Sequence, residues 1–158
     1  MIYIFNYNFD KEKIERKYDS AEFEVYSDPR RSSTWPTWQI SKINNWDYAD
    51  SLIEDLGLAE FDVRPRFYWL GPDTRLSPHT DNNTCCSINY IINDDYAPIV
   101  VDGQEFLYKS CLLNCQITHM VPAYPLERKL FKLSIFDASY TDVINILKEN
   151  THVDQQND

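Results

Sequence analysis

Three side chains in this sequence can do chemistry together: His79, Asp81 and His119. His79 and Asp81 stand one residue apart at the end of Gly71-Pro72-Asp73-Thr74-Arg75-Leu76-Ser77-Pro78-His79-Thr80-Asp81. An imidazole and a carboxylate so spaced can close on one metal ion. His119, delivered from another strand, completes three ligands on one face and leaves the opposite face open. The chain has three histidines, and two of them fall in this pattern; His152 lies in a polar tail and receives no role. Each residue also has a plainer reading. Asp81 can form a turn in Thr80-Asp81-Asn82-Asn83. If extension is continuous, His119 ends an apolar face of Cys111, Leu113, Cys115 and Ile117, where a core histidine is equally at home. The three together favour the metal.

About nine residues after His119, Arg128 opens a strand that also holds Lys132 and Ser134. This order, His-x-Asp, then a distal His, then a basic residue on the next strand, resembles the 2-oxoglutarate/Fe(II)-dependent dioxygenases. Leu76-Ser77-Pro78-His79-Thr80-Asp81 followed by Ser87-Ile88-Asn89-Tyr90 is most similar to the aspartyl/asparaginyl β-hydroxylase and prolyl hydroxylase branches. The resemblance spans roughly residues 64–137. It implies a double-stranded β-helix, Fe(II) held by His79, Asp81 and His119, 2-oxoglutarate as cosubstrate, and dioxygen. It also implies hydroxylation of an amino-acid, peptide side-chain or small-metabolite C–H bond.

A guanidinium suits the far carboxylate of 2-oxoglutarate because it offers two parallel hydrogen bonds. Alternation puts Arg128, Leu130, Lys132, Ser134 and Phe136 on one face of their strand and Phe131, Leu133 and Ile135 on the other. Spacing from His119 favours Arg128 as the anchor, with Lys132 in reserve. The same parity divides Ser87 and Asn89 from Ile88 and Tyr90. The β-hydroxylase-like reading turns Asn89 inward, where that branch usually carries a basic residue or a His; the prolyl-hydroxylase-like reading turns Tyr90 inward. Tyr68, in register with Arg66 and Leu70, is a further lining residue.

Composition narrows the class. A chain of 158 residues is expected to form one domain. Its net charge of −10 argues against phosphate-backbone binding. No apolar stretch reaches the length of a membrane span and no leader pattern opens the chain, so a cytoplasmic protein is expected. Cys85 and Cys86 are adjacent, and Cys111 and Cys115 are far apart along an extended strand, so the four cysteines read as free thiols.

The positioning elements follow from pattern. Met1 to Phe9 alternates as a strand, Asp10 caps a helix through about Tyr18, and Phe23 to Tyr26 is a short strand. Ser27 to Pro36 is a loop carrying Arg30, Arg31 and Trp35, with Trp38 beyond it, and either covers a substrate or is pinned by its aromatics. A helix starts at Asn44 or Asn45, buries Trp46, Ala49, Leu52, Ile53 and Leu56, and stops at Gly57. From Phe61 short strands take over: Val63–Leu70, Cys85–Ile92, Ile99–Val101, Gln104–Tyr108, Cys111–Asn114 and Leu130–Phe136, with Asp102-Gly103 as a hairpin turn. Residues 140–149 form a last amphipathic helix. The expectation is a mainly β jelly roll, cupin-like, with a few flanking helices. Residues 1–60 make a strand-and-helix buttress, 61–137 the core, 140–150 the final helix and 151–158 a flexible tail. Two rivals stand: a cupin-type metalloenzyme that does not use 2-oxoglutarate, and a non-catalytic binding module with a vestigial metal site.

Overall fold

The computed structural model describes residues 1–26 and 37–155; the proposed loop of Ser27 to Pro36, with Arg30, Arg31 and Trp35, lies outside the described residues. The elements in order are β1 (Ile2–Asn6), α1 (Lys11–Asp19), β2 (Glu24–Val25), β3 (Trp38–Lys42), α2 (Asp47–Asp55), β4 (Val63–Leu70), β5 (Leu76–His79) and β6 (Cys86–Ile91). There follow β7 (Ile99–Val101), β8 (Gln104–Phe106), β9 (Ser110–Asn114), β10 (His119–Val121), β11 (Arg128–Ile135), α3 (Tyr140–Glu149) and β12 (Asp154–Gln155).

Local chemistry explains most of these boundaries. Asp10 caps α1 by accepting from the Lys13 N–H, and Ser139 caps α3 by accepting from the Asp142 N–H. Asp102 and Gly103 take φ of 49° and 78° between β7 and β8, the two-residue turn that joins tightly twisted antiparallel strands. α2 begins later than its sequence pattern indicates. Asn45 sits at φ 55°, outside helical space, so the first helical residue is Asp47.

The strands form two antiparallel sheets, ordered β12-β1-β9-β6-β11-β4-β3-β2 and β5-β10-β7-β8. This is a double-stranded β-helix, with three helices among the described residues. The large sheet is covered on both faces. On its outer face Phe67, Ile88, Leu112, Phe131 and Leu133 meet Ile14 and Tyr18 of α1, Leu52 of α2, and Val143 and Leu147 of α3. On its inner face Leu70, Ile91, Cys111 and Leu113 meet Ile99, Val101 and Val121 of the small sheet. Only a sheet buried on both sides lets a strand such as β11 keep an apolar outer face and still carry Arg128 and Lys132 inward.

Three features depart from the sequence reading. Trp38–Lys42 is a strand on the edge of the large sheet, paired with β4 from Trp38↔Leu70 to Lys42↔Arg66. The tail folds back instead of fraying through its whole length: Asp154 and Gln155 pair with β1, and Val153 is buried. Finally, the chain from Cys111 to His119 is not one continuous strand. β9 ends at Asn114, whose carbonyl accepts from Ile117 N–H and whose side chain accepts from Gln116 N–H, and this turn carries the chain into the other sheet.

Candidate metal centre

That turn builds the site. His119 is the first residue of β10, His79 is the last of β5, and the two are register partners across the antiparallel pair. Their rings lie 4.4 Å apart. The β4–β5 connection is fixed by Gly71, whose N–H donates to Thr37 O; a Cβ there would meet Thr37 and Trp69 at 3.1 Å. Asp81 follows two residues after His79, and the crossing turn holds it: its N–H donates to Cys115 O at 2.9 Å, and the Gln116 amide donates to Thr84 O at 2.7 Å. The segment that delivers the second histidine therefore also places the carboxylate.

Asp81 Oδ1 lies 3.5 Å from His79 Nε2 and 3.3 Å from His119 Nε2. One ligand atom from each of the three residues lies within 4.8 Å of the others. Ligands about 2.1 Å from a metal and at right angles to one another stand roughly 3 Å apart, so this spacing fits a facial site that closes slightly on its ion. The donor chemistry fits as well. His79 Nδ1 lies 2.7 Å from Ser77 O and His119 Nδ1 2.8 Å from Ile117 O. A carbonyl only accepts, so each Nδ1 carries a proton and each ring turns its Nε2 toward Asp81, the atom a metal ion would take as ligand. A metal ion held between the two Nε2 atoms and Asp81 Oδ1 would have all three as ligands.

Lys132 meets the other carboxylate oxygen, its Nζ 3.3 Å from Asp81 Oδ2, with side-chain exposures of 13% and 16%. Burial alone opposes ionisation of Asp81, but the Lys132 ammonium and then the histidines outweigh it and hold the carboxyl well below the usual range. Burial likewise opposes the Lys132 charge, and Asp81 more than restores it. The pair stays ionised, with Oδ1 aimed at the histidines and Oδ2 occupied by the ammonium.

These groups line a cavity of about 310 Å³. Arg128 is buried in its wall, donating to Ala97 O at 2.7 Å and to the Tyr108 hydroxyl at 3.1 Å. Asn89 is inward, accepting from Ser87 Oγ at 2.8 Å and donating to Tyr108 at 3.4 Å. Tyr68 faces the cavity with Lys132 Nζ 5.4 Å from its ring centre. The structure thus brings His79, Asp81, His119, Arg128, Lys132, Asn89 and Tyr68 to one cavity. Tyr90 is not among them: β6 parity gives the inner face to Asn89 and sends Tyr90 outward, stacked on Phe9 at 4.6 Å. Ser134 shares the Arg128 face but does not line the cavity, and its hydroxyl has no hydrogen-bond partner among the described residues.

Sequence reasoning missed Tyr108 and Arg66. Tyr108 lies beyond β8 and reaches Arg128 only through tertiary folding, with no local signal; burial pushes its hydroxyl pKa up to about 12. Arg66 was legible in the alternation of β4, which turns Arg64, Arg66, Tyr68 and Leu70 to the cavity. Trp38 lines the cavity from β3, its ring 6.2 Å from that of His79.

No family model matches this chain, and no curated protein matches it. Solved structures do. An oxidoreductase of the 2OG-Fe(II) oxygenase family from Burkholderia pseudomallei is 13% identical, with 82% of this chain and 79% of that one covered and a TM-score of 0.58. A Pseudomonas putida prolyl-4-hydroxylase is 14% identical, with 79% and 83% covered and a TM-score of 0.58. A Trichoplax adhaerens prolyl hydroxylase, solved with a hypoxia-inducible-factor oxygen-degradation-domain peptide, is 15% identical, with 80% and 76% covered and a TM-score of 0.60. At such identities the likeness is one of fold, and this chain has the double-stranded β-helix fold of those solved oxygenases.

Proposed function

We propose that the protein is an Fe(II)- and 2-oxoglutarate-dependent dioxygenase that hydroxylates a C–H bond of an amino acid, a peptide side chain or a small metabolite. The observation that carries this reading is the convergence of two tautomer-fixed imidazoles on one carboxylate oxygen. Residues 1–150 would act as one oxygenase domain, and four free cysteines suit the reducing cytoplasm. Fe(II) bound there would couple dioxygen activation to oxidative decarboxylation of 2-oxoglutarate.

The chain's own part is to bind, orient and keep the site dry. His79, Asp81 and His119 would hold the metal. Lys132, engaged by Asp81, is a poor candidate for the cosubstrate anchor and instead keeps Asp81 Oδ2 occupied. Arg128 is the better anchor: it uses two of its donors on Ala97 and Tyr108 and has others to give a carboxylate. Tyr108, itself engaged by Asn89, steadies it from beside. Leu76, Val121 and Leu130 in the same wall exclude water.

One observation favours a second reading. Arg128 already has partners, as a purely structural arginine would, and a cupin-type metalloenzyme without 2-oxoglutarate would keep the triad and not need it. The test is cosubstrate turnover. With Fe(II) and dioxygen the protein should convert 2-oxoglutarate to succinate and CO₂, and Arg128→Met should raise the KM for 2-oxoglutarate. Iron binding without succinate, in the presence and absence of candidate substrates, would favour the second reading.

A further inference from the structure

The inward residues of β11 divide the cavity along its length. Arg128 is buried at one end, Lys132 sits beside Asp81, and partly exposed Phe136 follows the other end of the strand, near exposed Asn82 and Asn83. Arg66 belongs to this open end. It is the register partner of Lys132 on β4, so their Cβ atoms are on the order of 5 Å apart. Its guanidinium leans along the cavity to within 5.3 Å of the Phe136 ring centre.

Charge counting singles it out. Asp81 pairs with Lys132. Asp62 pairs with Arg64 through two contacts of 2.8 and 3.1 Å, and feels Arg66 only through space. Arg66, flanked in register by Lys132 and by exposed Lys42, has no carboxylate partner among the described residues and stands at the mouth of a cavity in a chain of net charge −10. Arg64 and Arg66 stand 4.3 and 5.3 Å from the Phe136 ring centre, and the Arg66 guanidinium keeps N–H donors for a fork of two hydrogen bonds. Arg128, at the other end, already serves the cosubstrate in the reading above, so the anion that Arg66 awaits is a second one.

We propose that Arg66 is the substrate-recognition residue of this cavity and that the substrate bears a carboxylate, gripped at the mouth while its reacting carbon lies by the triad. This rests on the oxygenase reading. The planar guanidinium matches a planar carboxylate through a fork of two parallel hydrogen bonds.

The test uses two neutral-backbone probes of equal shape, N-acetyl-aspartate N-methylamide and N-acetyl-asparagine N-methylamide, titrated into the whole protein while the arginine side-chain N–H signals are followed by NMR. The carboxylate probe should bind roughly tenfold more tightly than the amide and shift the Arg66 signal. Arg66→Met should erase that preference, and Arg66→Lys should keep part of it. Equal binding of the two probes overturns the proposal, as does a preference that survives Arg66→Met or is lost only in Arg128→Met. Tighter binding of the phosphoserine counterpart overturns the choice of carboxylate. The titration needs no metal, so a wild-type protein that prefers the carboxylate but never engages iron and 2-oxoglutarate refutes the oxygenase reading and leaves the role of Arg66 standing.

Discussion

His79 and His119 oppose each other across β5 and β10, and each ring is held by the main-chain carbonyl two residues before it, Ser77 O at 2.7 Å and Ile117 O at 2.8 Å. The symmetry means that backbone pairing, not side-chain packing, fixes both tautomers and both ring directions. The register shifts by one residue beyond this pair, and pairing resumes at Val121↔Leu76.

It follows that either histidine can be removed without unfolding the protein. His79→Ala and His119→Ala should each lower Fe(II) affinity by at least about a hundredfold, more than loss of an outer partner costs. Equilibrium dialysis under anaerobic conditions measures the affinity, and circular dichroism should show the fold unchanged.

Lys132 and Asp81 form a buried ion pair whose second oxygen faces the histidines. Removing the ammonium leaves a buried carboxylate uncompensated, which costs about 3–5 kcal/mol. Lys132→Met should therefore lower the stability of the metal-free protein by about that amount, and Fe(II) or Mn(II) should restore much of it. Denaturant melts with and without metal check this. A loss that metal does not reduce would show that Lys132 matters for packing and not for the carboxylate.

Tyr108 touches Arg128 at 3.1 Å and Asn89 at 3.4 Å but none of the triad. Tyr108→Phe keeps the ring and removes the acceptor, at a cost of about 1 kcal/mol. The expected result is a roughly fivefold weaker affinity for 2-oxoglutarate with iron affinity unchanged, read by titrating cosubstrate into the iron-loaded protein.

The thiols give a prediction about folding. Cys86, Cys111 and Cys115 are buried, and burial pushes the Cys86 and Cys115 thiols up to about 12; Cys85 is partly exposed. A disulfide reagent at pH 8 should modify one thiol promptly and the other three only after denaturation. Prompt modification of more than one would contradict the packing of β6 and β9 against β11 and β1.

The sequence was most legible where one local rule sufficed. Alternation located β4 over Val63–Leu70 and β7 over Ile99–Val101, and it separated the polar face of β11 from Phe131 and Leu133. Asp10 marked α1, and Asp102-Gly103 marked its hairpin. Legibility failed where tertiary pairing decides. Trp38–Lys42 follows a proline-marked stretch and is a strand because β4 offers it an edge. The short β5 and β10 are stabilised by each other, so neither has a pattern of its own. Asp154 and Gln155 are polar, and pairing with β1, beside a buried Val153, gives them order. Within the site, parity left Asn89 and Tyr90 open, and the β6–β11 register with Lys132 opposite Asn89 decides for Asn89.

The most direct test of the central claim is anaerobic titration of the protein with Fe(II) and then 2-oxoglutarate, observed in the visible region. The geometry predicts a weak metal-to-ligand charge-transfer band that saturates at one iron per chain, disappears in His119→Ala and forms at higher cosubstrate concentration in Arg128→Met. An iron-loaded protein that gives no band would contradict cosubstrate chelation, and a protein that binds no iron would contradict the metal centre itself.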